Sequence, residues 1–388
     1  MLRGLLQTAR VPLLPSAALA SVVLHNASGG RQRNCCCQGQ ASTAHHSDHL
    51  SAFGLGEIPS SAYKTHFTAA HDNAAAASAA NVARRETAAS ADLEPKSDRH
   101  MRRLLAQQLM AKIGYTQSEL EILGDDVLRM QGVGSPFTAA QLRHGETVVD
   151  LGSGLGPDAF LAAAKVGPAG SVIGINLSSE EVQKANLRAQ ELGLSEARCR
   201  FVTADMEITP LGAATADVAI SNGGFCLCPD KPAAFREVHR LLRPGGRMAI
   251  SCTVLRTHLP ALEGKRWPPC MEVFMPRSNI EPILNSVGFR NVRVDDTNSR
   301  MDVWDFESAD LDSVAESLGP DPSAGSAVAG CSHAKKAAAR RAKQDVEDYL
   351  ARGREAGIHW GNPQFDHIKE FDMNDLCARI VIYAEKSA

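Results

Sequence analysis

The sequence predicts an α/β fold built on a doubly wound parallel sheet, and three observations carry that expectation. In "VVDLGSGLGPDAFLAAA", residues 148–164, a short apolar strand runs straight into a glycine-rich turn and then a helix. Strand-like and helix-like segments alternate after it, the pattern of parallel strands joined by covering helices. The chain has 388 residues and a net charge of −3, enough length for one large domain or two ordinary ones and no basic excess of the kind a nucleic-acid binder carries.

The elements follow in order. "HMRRLLAQQLMAKIGY", residues 100–115, spaces its apolar residues as an amphipathic helix does, and "TQSELEIL" follows as a short helix that Thr116 can cap. Val148, Val149 and Leu151 form a buried strand. Gly152, Gly154 and Gly156 then allow a sharp turn and close approach of a ligand, and the helix from about Asp158 offers free amides at its start. "SVIGIN" is a second strand ending at Asn176, and the next helix places Ser178 and Glu181 as a capping box. "CRFVTADM" is a third strand ending near Asp205, and "ADVAISN" a fourth ending at Asn222. "DKPAAFREVHRLLRPGG" reads as a helix stopped by Pro244, Gly245 and Gly246. "RMAISCTVL", "GFRNVRVDD" and "ARIVIYAE" supply the fifth, sixth and last strands. Ligands of such sheets sit at the carboxyl ends of the strands, near the point where the strand order reverses.

The ends of this core differ in composition. No Asp or Glu precedes Asp48, while Arg3, Arg10, Arg31 and Arg33 punctuate an Ala/Leu/Ser stretch. That composition predicts a mitochondrial transit peptide over residues 1–40, with a cytoplasmic location as the alternative. A secretory signal, with "VPLLPSAALASVVL" as its apolar region, and a leader with no address are the rivals; Pro15 interrupts that region. Residues 41–97 read as a low-complexity linker, too poor in large apolar groups to offset their ordering entropy. Residues 98–388 form the domain, with a helical insertion at about 310–375. Within it "AKKAAARRAKQDVEDYLARGREAG" is a charged helix, either solvated or acting as a lid or docking helix. No stretch of about 18 apolar residues predicts a membrane span.

"VVDLGSGLG", "TADM" and "LLRPGG", in that order, resemble the class I S-adenosylmethionine-dependent methyltransferases. The resemblance implies a Rossmann-like seven-stranded sheet and S-adenosyl-L-methionine as cofactor. It places Asp150, Gly152, Ser153 and Gly154 at the methionyl part and Asp205 and Met206 beside the adenine, with Asn222 at the end of the fourth strand also on the cofactor side. Members of that class usually carry Asp or Glu where this chain has Asn176. Asn offers one acceptor oxygen and no charge, so weaker ribose binding is expected, and tighter binding on Asn176→Asp.

"GETVVDLGSGLGPDAFLAAAKVGPAGSVIGIN", "FREVHRLLRPGG", "WPPC" and the lead-in "GYTQSELEILGDDVLRMQGVGSP" further resemble the arsenite methyltransferases. The family's arsenic-binding cysteines fall on Gly223 and Val133, and only Cys270, three after Trp267, lands on a family cysteine. Cys226 and Cys228, at the end of the fourth strand, and Cys252, on the fifth, either replace the lost ligands or are incidental. Thiolates suit a soft, thiophilic centre such as trivalent arsenic, whereas a buried cysteine is also a common small apolar residue. Zinc fits less well, since no second cysteine pair is present.

Three functions are thereby in play, and the resemblance, through its lead-in and the Trp267–Cys270 spacing, favours the first. One is methyl transfer to thiolate-held arsenic, with Cys226, Cys228 and Cys270 at the centre and a thiol reductant as co-reactant. The second is a mitochondrial methyltransferase for a small organic substrate of quinone type. The third is a non-catalytic protein that binds the cofactor and acts in assembly. An organic acceptor can require a base; His239 should face away from the cofactor, and His258, after the fifth strand, is better placed.

Overall fold

The computed structural model describes residues 96–301, 314, 340–341, 343–348 and 363–388. The expected transit peptide, nearly all of the linker and most of the insertion lie outside the described residues.

Seven strands form one sheet in the order β3-β2-β1-β4-β5-β7-β6. They are β1 (Thr147–Leu151), β2 (Ser171–Asn176), β3 (Cys199–Thr203), β4 (Ala216–Asn222), β5 (Leu242–Leu255), β6 (Phe289–Asp296) and β7 (Cys377–Lys386). β1 to β5 run parallel, and β7 lies antiparallel between β5 and β6. The doubly wound, Rossmann-like α/β sheet is therefore present with the expected number of strands. The order reverses between β1 and β4, so the chain leaves a crevice there at the carboxyl ends of both strands.

The central strands are apolar without alternation because helices cover both faces. Val148, Val149, Leu151, Val218 and Ile220 are fully buried. Each contributes about 1.5–3 kcal/mol relative to exposure. The covering helices are α1 (Lys96–Lys112), α2 (Gln117–Leu123), α3 (Pro157–Val166), α4 (Ser179–Glu191), α5 (Lys231–Leu241) and α6 (Ile280–Val287). Thr116 does cap α2, and its partner Glu119 closes a full capping box. Of the insertion, Val314 and Val346 pack with Met101 and Leu105 of α1.

Three local expectations change. The helix expected to run to Pro244 ends at Leu241, and Leu242–Gly246 already belongs to β5. Leu242 is extended, at φ −70° and ψ 140°, and pairs with Ala216, so the sheet captures this stretch before the Pro-Gly-Gly can act as a helix stop. β3 ends at Thr203, because Asp205 turns back to accept a hydrogen bond from the Glu207 amide at 2.9 Å. At the start of α4 only half of a capping box forms: the Ser178 hydroxyl accepts from the Glu181 amide at 3.3 Å, while the Glu181 carboxylate goes to Asn176 instead.

Candidate active site

The crevice at the switch point is a cleft of about 1270 Å³ including its open mouth. All eight residues expected on the cofactor side line it: Asp150, Gly152, Ser153, Gly154, Asn176, Asp205, Met206 and Asn222. The turn after β1 forms its floor. Gly152 and Ser153 donate to the Ile175 carbonyl at 2.7 and 3.0 Å, which ties the turn to the end of β2. Gly152 has φ 77°, and a Cβ there would meet the Gly224 backbone at 2.9 Å, so the turn after β1 and the one after β4 approach as only glycines can.

Two buried acceptors on this floor, Asp150 Oδ2 and Ser153 Oγ, make no hydrogen bond within the protein. Burial, and then the neighbouring Asp158, push the Asp150 carboxyl well above the usual carboxylate range. A buried carboxyl short of partners is costly, and a cationic ligand supplies what is missing. The methionyl ammonium and sulfonium of S-adenosylmethionine are such a cation, so the residues present fit that cofactor.

One group the sequence reading passed over organises the other wall. The Tyr115 hydroxyl donates to Asp158 Oδ1 at 2.6 Å, and Asn222 Nδ2 donates to Tyr115 at 2.7 Å and to Asp158 Oδ2 at 3.0 Å. Asn222 Oδ1 accepts from the Val133 and Gly134 amides at 2.8 and 3.1 Å, which straps the lead-in loop across the cleft. Gly132 lies so close to the Asn222 amide that a Cβ would overlap it at 2.1 Å. No motif pointed to Tyr115 or Asp158, because the network joins residues 43 to 107 positions apart.

Asp158 gives the site a pH dependence. Burial raises its pKa to about 6, partly opposed by the bonds from Tyr115 and Asn222. The folded state then holds a proton that the unfolded chain has lost between about pH 4 and 6, so this group's contribution to stability falls as pH rises through that window. The cost at neutral pH is about 3 kcal/mol. A cationic ligand favours the ionised form, and affinity for S-adenosylmethionine should rise with pH. Calorimetric titrations are expected to show about tenfold weaker binding at pH 5 than at pH 7.

The cysteines are distributed differently from the cofactor residues. Cys228 lines the cleft, and its thiol donates to Glu207 at 3.2 Å. Cys226 points inward and donates to the Gly223 carbonyl at 2.9 Å. Burial raises the thiol pKa of Cys226, Cys228, Cys252 and Cys270 above the usual cysteine range. Among the described residues no group of three or more His, Cys, Asp or Glu is arranged to hold a metal ion. Lys231 is buried close by and donates to the Cys228 and Val273 carbonyls at 2.8 and 2.6 Å. Gly223 and Val133, where the resemblance puts two family cysteines, are neighbours: a Cβ on Gly223 would lie 3.8 Å from Val133 Cγ1. His239 packs edge-on against Phe289, away from the cleft as expected, and His258 is exposed.

Residues 142–274 match a family model described as a methyltransferase domain. The chain is 31% identical over 203 residues to an arsenite methyltransferase of Halobacterium salinarum, covering 50% of this chain and 51% of that protein. It is 35% identical over 109 residues to a nocamycin O-methyltransferase of Saccharothrix syringae, covering 28% and 38%. An arsenic(III) S-adenosylmethionine methyltransferase from Chlamydomonas reinhardtii aligns in structure over 50% of this chain and 65% of that one, at 24% identity and a TM-score of 0.38. The chain thus spans about half or less of the length of the curated relatives it matches.

Strand order and cleft are those of a Rossmann-like α/β fold, and residues 142–274 within it match a methyltransferase domain. Over about half its length the chain is similar to an arsenite methyltransferase.

Proposed function

We propose that this chain transfers a methyl group from S-adenosylmethionine to a small organic acceptor that enters the cleft beside Cys228. The observation that carries the cofactor side is the buried, incompletely satisfied pair Asp150 and Ser153 beneath the glycine turn. When bound, the cofactor supplies an electrophilic methyl on a sulfonium centre. The chain's own part is to hold the two partners close and aligned and to exclude water. The loop at Gln131 and Gly132, strapped down by Asn222, and the turn at Gly223 and Gly224 wall the cleft next to the end of β4.

The acceptor side supports an organic substrate over bare arsenite. Among the described residues one thiol, Cys228, lines the cleft, and the positions that the resemblance reserves for two more are Gly223 and Val133. A second reading is favoured by the identity to the Halobacterium protein. In it, trivalent arsenic is held by Cys228 together with thiols of a small reductant.

An arsenic-speciation assay with the full chain, S-adenosylmethionine, glutathione and arsenite separates the two. No methylated arsenic above the enzyme-free background is expected, with S-adenosylhomocysteine release instead on a panel of phenols, hydroquinones and amines. Methylated arsenic that disappears in Cys228→Ser would replace the organic reading with the metalloid one. No release on any acceptor, with cofactor binding intact, would favour the non-catalytic alternative.

A further inference from the structure

Among the described residues that line the cleft, Asp150, Asp158, Glu181 and Asp205 are acids and Arg129 is the single cationic side chain. Arg129 closes the helical turn Gly124–Arg129. It stands two residues before Gln131, in the part of the lead-in loop that walls the cleft next to the end of β4. The guanidinium is thus carried by the acceptor-side wall and not by the glycine turn.

Its own tie is loose. The Arg129 side chain is 37% exposed, and its Nε meets Asp126 Oδ1 at 3.3 Å. Asp126 is already held by Arg188, whose Nε and Nη2 donate to its two oxygens at 2.8 Å each. A carboxylate gripped by a two-pronged guanidinium needs no second cation, so Arg129 can turn into the cleft without leaving a buried acid unpaired. A single ion pair at that exposure contributes little to stability.

We infer that Arg129 sets the specificity of the acceptor site by binding a carboxylate, which makes the acceptor a small organic acid; the inference rests on the organic reading of the cleft. The planar fork of a guanidinium matches a carboxylate with two parallel bonds. From Arg129 to Gly132 the chain spans at most about 10 Å, so an acid with one ring between its carboxylate and the group to be methylated suits that wall. The cofactor's own carboxylate has other donors, the first-turn amides of α3, which lack partners within the helix. In the reaction the acceptor oxygen or nitrogen bonds to the methyl carbon as the carbon–sulfur bond breaks, and the acceptor's proton passes to solvent.

The test compares para-hydroxybenzoate with its uncharged counterpart para-hydroxybenzamide on the full chain. Turnover is read as S-adenosylhomocysteine release, and binding of each compound to the S-adenosylhomocysteine complex is read by calorimetry. The wild type should prefer the acid, through KM rather than kcat, and added salt should reduce that preference. Arg129→Gln should lower the preference about tenfold, and Arg129→Lys should recover part of it, because the charge returns without the fork. The Kd of S-adenosylhomocysteine should stay within about threefold in Arg129→Gln. The melting temperature confirms that each variant is folded.

Equal use of acid and amide by the wild type, or a preference that Arg129→Gln leaves intact, would overturn the role of Arg129 and leave the organic reading standing. A Kd for S-adenosylhomocysteine that rises in Arg129→Gln, while that of methylthioadenosine does not, would assign the guanidinium to the cofactor's carboxylate instead. A methyl ester as product would place the acceptor carboxylate at the methyl group and also overturn the role. Acid binding that depends on Arg129, with no methyl transfer, would support the carboxylate site and overturn the transferase reading. Neither binding nor methylation of either compound would overturn both.

Discussion

Asp150→Asn is expected to remove cofactor binding while leaving the apo protein more stable than the wild type. Asp150 is buried at the end of β1, Oδ2 makes no hydrogen bond within the protein, and burial, with Asp158 beside it, pushes its carboxyl pKa well above the usual range. The protein carries the cost of that group in the absence of ligand. An amide has almost the same shape and no charge to desolvate, so the variant should gain about 1 kcal/mol, or roughly 2–4 °C in melting temperature. The same change removes the negative charge that a methionyl ammonium and sulfonium would meet. A loss of about 100-fold in affinity corresponds to about 2.7 kcal/mol. Differential scanning fluorimetry and calorimetry read the two effects separately. A variant that is both less stable and unimpaired in binding would show that Asp150 serves the fold and not the ligand.

The second large effect is expected at Asn222. Its side chain makes four hydrogen bonds that join β4, the lead-in loop, Tyr115 and Asp158. Asn222→Ala would leave two loop amides and a buried tyrosine–aspartate pair short of partners, at a cost of about 3 kcal/mol or more. By the scaling with chain size this is roughly 6–12 °C in melting temperature. Hydrogen exchange at Val133 and Gly134 should accelerate, and the cofactor should bind about tenfold more weakly as the strap opens. Asn222→Asp, which keeps the acceptor and removes the donor beside Asp158, should be no milder. Unchanged exchange at Val133 and Gly134 would mean the loop is held by other contacts.

The sheet was legible because its signals are local and repeated. Val148, Val149 and Leu151 precede Gly152 and Gly154 without a gap, and β2 and β4 end at Asn176 and Asn222, which the topology brings to the same rim. The resemblance assigned the residues expected on the cofactor side, and they share one cleft because a parallel sheet places strand ends together whatever the loops do. Three features were not legible. Asp158 reads as an ordinary first-turn acid of a helix, and only the approach of Tyr115 and Asn222 makes it part of the site. Glu181 reads as half of a capping box, because sequence spacing does not show that Asn176 competes for its carboxylate. Cys226 and Cys228 read as a pair, yet the helical turn Gly224–Leu227 sends one thiol to the Gly223 carbonyl beneath the turn and the other to Glu207 at the cleft. The helix stop at Pro244 failed for a related reason: pairing of Leu242 with Ala216 is a long-range contact that overrides a local breaker.

The cleft's assignment as an S-adenosylmethionine site is tested most directly by titrating S-adenosylhomocysteine into the full chain and into Asp150→Asn, at pH 7 and fixed salt. One-to-one binding by the wild type, lost in the variant although its melting temperature is higher, is the result expected. No binding by the folded wild type, or equal binding by both proteins, would contradict it.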